Sequence, residues 1–141
     1  MTWVAWALLS AFFAGITAIL AKVGVERVDS NVATAIRTTV IMVLVWAVAL
    51  ATAPAGALAH PGRRTMLFLT LSGIATGLSW LCYFRALQLG DASRVAPIDK
   101  LSVVFAIVLA GLFLHERITW QHVVGGTLIV AGSLVIAWGA R

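Results

Sequence analysis

Apolar residues fall along this chain in five long blocks separated by short polar knots, with no sustained alternation of the kind a half-buried strand would show. Cutting the sequence at every Asp, Glu, Lys and Arg leaves five long charge-free runs, 1–21, 38–62, 65–84, 101–115 and 118–140, together 104 of the 141 residues. A hydrocarbon core about 30 Å thick takes about 20 helical residues to cross. Four of the runs reach that length unaided. The apolar part of the other, 101–114, covers only about 21 Å at 1.5 Å per residue and has to borrow its flank. The pattern predicts an all-α fold, an integral membrane five-helix transmembrane bundle, as a single domain over residues 1–141.

Start and stop signals place the helices at about 3–23, 33–52, 66–87, 95–114 and 120–138. Ser30 and Asn31 suit the N-cap of the second helix. Two prolines and two glycines, Pro54, Gly56, Pro61 and Gly62, break the chain after it. Gly90 and Asp91 end the third helix. The fourth must reach back through Pro97, Asp99 and Lys100, which puts both charges inside the membrane boundary. Pro97 is then either a first-turn proline, the preferred reading, or a kink that frees carbonyls toward a cavity. Trp120 and Trp138 bracket the last helix, and Trp3 and Trp6 mark the first, at the depths where aromatic belts form. The first run lacks a basic leader and is longer than a signal-peptide core, so it reads as a retained helix.

At 62% hydrophobic and 11% charged, the composition excludes a water-soluble globule, for which about 25% charged residues are usual. The net charge of +5 would suggest nucleic acid in a soluble protein. Here a positive-inside bias accounts for it, and nucleic-acid binding is rejected. Cys82 is the sole cysteine, so no intrachain disulfide forms. No Ser/His/Asp set, phosphate-cradling glycine loop or metal-ligand spacing is present, so no enzyme, catalytic residue, cofactor or metal is expected. His115, Glu116 and His122 lack the i, i+4 pairing of a helical zinc site. Glu116 and His122 either mark the membrane surface, as preferred, or relay protons.

With alternating helices, one membrane face carries Arg63, Arg64 and Arg117, and the other Lys22, Arg27, Arg37, Arg85, Arg94, Lys100 and Arg141. That bias favours a C-terminus in the cytoplasm of a multi-pass cell (inner) membrane protein. Arg37 and Lys100 lie too deep for simple anchors. Asp99 and Lys100 are about 100° apart on a helix and are expected to look toward different groups. Asp99 is expected to pair across helices with Lys22, Arg37 or Arg85. The same face would form a basic, partly hydrated vestibule for an anionic or carboxylate-bearing solute. The alternative is that these cations are anchors with snorkelling stems. Trp46, Trp80 and Tyr83 lie within the spans, where they either shape a substrate site or simply pack. In the last helix Gly125, Gly132 and Gly139 recur every seven residues, followed one position behind by Gly126, Ser133 and Ala140. This smooth stripe is a packing face, within the chain or across a dimer.

Several of these residues together carry a resemblance. Lys22-Val23-Gly24, Ala35-Ile36-Arg37, Tyr83-Phe84-Arg85-Ala86-Leu87, Pro97 early in helix four, Glu116-Arg117 and the glycine-rich last helix resemble, in order, one EamA domain of the drug/metabolite transporter superfamily. His115 stands where that pattern usually has glycine. The resemblance covers essentially the whole chain. Because most EamA proteins carry two such domains in opposite orientation around a central cavity, it implies a homodimer, antiparallel in arrangement, that works by alternating access. The function expected is a secondary transporter or exporter of a small metabolite. Arg37, Arg85 and Lys100 would attract the solute, Trp80 and Tyr83 would shape the cavity, and Asp99 would couple transport. The last helix is also similar to the dimerisation helix of small multidrug resistance transporters. Their helix-one glutamate has no counterpart here, since residues 1–21 contain no acid. The rivals are such a drug exporter and a non-transporting accessory membrane subunit.

Overall fold

The computed structural model describes residues 2–54, 56 and 62–138. Among these there is no strand. Six helices follow one another: α1 (Trp3–Val25), α2 (Ser30–Thr52), α3 (Arg63–Leu89), α4 (Ala92–Asp99), α5 (Ser102–Phe113) and α6 (Trp120–Trp138). With α4 and α5 counted together as Ala92–Phe113, five spans are long and apolar enough to cross a membrane. Large apolar side chains such as Leu44, Phe68 and Val135 stay exposed along their length. This inverts the pattern of a water-soluble protein and fits hydrocarbon as the surrounding solvent. The chain forms two compact units, one of Met1–Val23 with Leu89–Arg141 and one of Gly24–Gln88.

In the unit Gly24–Gln88, α2 starts three residues earlier than the pattern suggested, and its cap is Asp29 in place of Ser30 or Asn31. The Asp29 Oδ1 accepts the Asn31 and Val32 amides at 2.9 and 3.3 Å. A carboxylate there satisfies two orphan amides and also meets the positive end of the helix. Thr34, Thr38, Thr39 and Thr52 each donate a hydroxyl to the carbonyl four residues back, at 2.7, 2.8, 3.1 and 2.8 Å. The helix stops because Ala53, held extended at ψ 136°, precedes Pro54, whose ring disfavours the α conformation in the residue before it. The buried side chains Val25, Ser30, Thr34, Phe84 and Leu87 gather where α1 ends, α2 begins and α3 ends.

In the unit of Met1–Val23 with Leu89–Arg141, Lys22 donates to the carbonyl of Gly90, just beyond α3, at 2.9 Å. A lysine at that place meets the negative end of a helix. α4 and α5 both pack against α6. Pro97 is not in the first turn of its helix but near its end, and the span breaks directly after it. Across the break the amides of Lys100, Leu101, Val103 and Val104 bond three residues back instead of four, at 3.0–3.1 Å. Pro97 supplies no amide to the carbonyl of Ser93 four residues earlier, and the tightened turn lies on its C-terminal side. Gly126 and Ser133 of α6 are buried.

α5 ends on His115, whose φ of +54° lies in the left-handed region. The amides of Leu114 and Glu116 share the carbonyl of Ala110 at 3.0 and 3.2 Å. This conformation explains why glycine is the usual residue there. α6 then opens with a capping box, in which the Thr119 amide donates to His122 Nδ1 at 3.1 Å. Histidine here takes the part more often played by Glu or Gln.

Candidate functional site

Arg37 sits seven residues into α2, about 10 Å along its axis at 1.5 Å per residue. Its guanidinium carbon lies 4.3 Å from the centroid of Trp80 and 5.4 Å from that of Phe84, both on α3. Trp80 and Phe84 are four residues apart and so share one helix face. Tyr83 stands edge-on to Phe84 at 6.4 Å. A cation this deep in an apolar span needs compensation, and the negative faces of the rings supply it.

A guanidinium held over an aromatic ring keeps its forked N–H donors, which suit a carboxylate or phosphate. Among the described residues the ion pairs are Arg94 with Asp91 and Lys100 with Asp99; Arg37 belongs to neither. The site therefore presents a half-buried cation on an aromatic cradle, in no ion pair with a carboxylate among the described residues.

Arg85 turns elsewhere. Its Nη1 donates to Gln88 Oε1 at 2.6 Å, and Gln88 Nε2 in turn donates to the carbonyl of Val28 at 3.1 Å. The arginine thus belongs to a chain of bonds that ties the end of α3 to the connection before α2. Arg37 meets Trp80 and Phe84, and Tyr83 meets Phe84; Phe84 is the member that the sequence reading did not name. The signal was its i, i+4 spacing from Trp80.

Asp99 and Lys100 lie in the other unit and pair with each other, Nζ to Oδ2 at 3.5 Å. The expectation that they look toward different groups is overturned. The backbone stays in the right-handed α region at Lys100 and Leu101, and the long lysine stem brings its ammonium back to the neighbouring carboxylate. Both side chains remain partly exposed, 38% for Asp99 and 54% for Lys100, so the pair adds little stability.

The glycine stripe divides. Gly126 faces Val104, with a Cβ built on it reaching that side chain at 3.9 Å, whereas a Cβ at Gly125 or Gly132 meets nothing within 4 Å. Gly139 lies outside the described residues. An apolar groove of about 380 Å³ between α5 and α6, lined by Val104, Ile107, Val123 and Gly126 among others, holds none of the residues expected to bind solute.

Comparison with known proteins agrees with this picture of a helical membrane protein. The model of the EamA-like transporter family matches residues 1–138. An uncharacterized transporter in the cobO 3' region of a Sinorhizobium species is 51% identical over 96% of both chains. A probable terminal-alkyne amino-acid exporter of Streptantibioticus cattleyicolor is 34% identical over 64% of this chain and 31% of its own length. A probable 4-amino-4-deoxy-L-arabinose-phosphoundecaprenol flippase subunit, ArnF of Erwinia tasmaniensis, is 40% identical over 57% of this chain and 63% of its own. No solved structure matches. Five membrane-length spans, the ordered motifs and a family match over nearly every residue lead to one conclusion: the chain belongs to the EamA-like transporter family, as a multi-pass membrane protein.

Proposed function

We propose that this chain is a single five-helix domain that exports a small anionic or carboxylate-bearing metabolite across the cell (inner) membrane, two copies working together by alternating access. The observation that carries the reading is Arg37, set deep in α2 on Trp80 and Phe84 and in no ion pair with a carboxylate among the described residues. Its forked N–H donors are the handle for the solute's negative charge. Trp80 and Tyr83 shape the space beside it, and Arg85 adds to the field. Asp99 is the coupling group, and Lys100 holds it. A relative named as an amino-acid exporter supports the solute class, since every amino acid carries a carboxylate.

Relatives named as flippase subunits support the need for a second chain. Gly125 and Gly132, open within the chain, are the seam at which a second copy would approach. The same names favour a second reading, in which the chain is an accessory subunit of a different membrane protein.

The test is reconstitution of the purified chain in liposomes loaded with a panel of labelled amino, hydroxy and keto acids. Efflux of at least one acid, lost in Arg37→Gln, is the expected result. No movement of any acid, with the chain recovered from cells bound to a different membrane protein, would replace this reading with the accessory one.

A further inference from the structure

The break between α4 and α5 has a partner across the unit. Ser133, in the middle of α6 and only 5% exposed, donates its hydroxyl to the carbonyl of Pro97 at 2.9 Å. That carbonyl is the one the break leaves short. In a continuous helix the amide of Leu101 would reach it, but Leu101 bonds to Ile98 instead. Pro97 keeps only the bond from Lys100 at 3.1 Å, made in the tightened turn. A carbonyl in an apolar span has no water to turn to, and its second lone pair has to be met by protein. Ser133 meets it from a different helix.

We propose that Ser133 is a positioning residue: its hydroxyl pins the Pro97 carbonyl, fixes the bend of the fourth span, and thereby sets where Asp99 and Lys100 stand. Three observations converge on this. The register shifts from four-residue to three-residue bonding between Pro97 and Val104, so the irregularity of the span is confined to that stretch. Asp99 and Lys100 lie within it, 3.5 Å apart. The residue that supplies the bond is buried on the face of α6 that packs on α4. A serine hydroxyl mid-helix usually returns to its own backbone three or four residues back, as Thr127 does with Val123 at 2.8 Å. Ser133 instead spends its proton across the interface.

The proposal draws on the transport reading for its consequence but not for its test, because the bend can be measured without any solute. Nitroxides at positions 92 and 112, some 30 Å apart along the span at 1.5 Å per residue, report the bend by pulsed electron resonance in lipid nanodiscs, with Cys82→Ser as background. Ser133→Ala is expected to broaden the distance distribution and shift its mean, moving the populations by about two- to tenfold, the worth of one neutral hydrogen bond. Ser133→Thr, which keeps the hydroxyl, is expected to restore the original distribution. Pro97→Ala is expected to lengthen the mean distance toward that of a straight helix. In the same samples the carboxyl-carbon resonance of Asp99 is expected to move in Ser133→Ala and return in Ser133→Thr. An unchanged distribution in Ser133→Ala overturns the proposal. So does a change in Ser133→Thr as large as that in Ser133→Ala, since the hydroxyl would then not be the agent. Loss of transport with an intact bend would instead count against the transport reading alone.

Discussion

The Arg37 guanidinium stacks on the Trp80 indole at 4.3 Å, joining α2 to α3 inside the membrane span. A partly desolvated pair of this kind is worth about 1–2 kcal/mol. Trp80→Leu is therefore expected to lower stability by about that amount in detergent unfolding, and Trp80→Phe by less. Arg37→Lys is not conservative here, because an ammonium lacks the flat face that stacks and the forked edge that binds a carboxylate. It is expected to raise the KM for an exported acid about tenfold, the loss of one charge-assisted hydrogen bond, and to lower stability by no more than Trp80→Leu does.

His115 holds a φ of +54°, which costs any side-chain-bearing residue more than glycine. His115→Gly is expected to be more stable than His115→Ala by about 1 kcal/mol in thermal unfolding, with the same helix content. Equal stability of the two variants would mean that the turn relaxes away from the left-handed region when the imidazole is removed.

A Cβ added at Gly111 would come within 2.6 Å of Ile118 Cδ1 and 3.0 Å of its Cγ1. Both atoms belong to a side chain that can swing aside, so Gly111→Ala is expected to cost about 1 kcal/mol, at the mild end of overpacking. In an Ile118→Ala background the same substitution is expected to cost almost nothing. A double-mutant cycle of thermal unfolding measures the coupling directly.

How much of this was legible in the residues differs by level. The five spans followed from the length of apolar runs, a signal that needs no tertiary context. Where the fourth span breaks did not follow, because hydropathy is blind to hydrogen-bond register; Pro97 marked the place, but placing it in the first turn concealed its effect. The Asp99–Lys100 pair was misread because the angle between neighbouring positions does not fix where a long lysine side chain ends. Arg37 with Trp80 was recoverable, as both are unusual inside a span. Phe84 passed for one more apolar residue. Ser133 and Gly126 turned inward while Gly125 and Gly132 did not, a choice between neighbouring faces of one helix that small-residue spacing cannot make.

That division sets the test of self-association. A Cβ at Gly125 or Gly132 meets nothing within 4 Å among the described residues, so Gly125→Ala and Gly132→Ala are expected to fold as the unaltered protein does. Association of two copies is expected to weaken by at least about tenfold, near 1.4 kcal/mol, as read by light scattering in detergent or energy transfer in liposomes. Unchanged association would place the seam on another face.

The threonines of α2 carry a mechanical consequence. Thr38, Thr39 and Thr52, the exposed ones, return their hydroxyls to their own helix, so to the surrounding acyl chains this stretch resembles valine. Turning α2 about its axis would break none of these bonds and strand no hydroxyl in hydrocarbon. The resistance to such a rotation would then reside in the buried start of the helix, Ser30 and Thr34, and in Arg37 on its aromatic cradle.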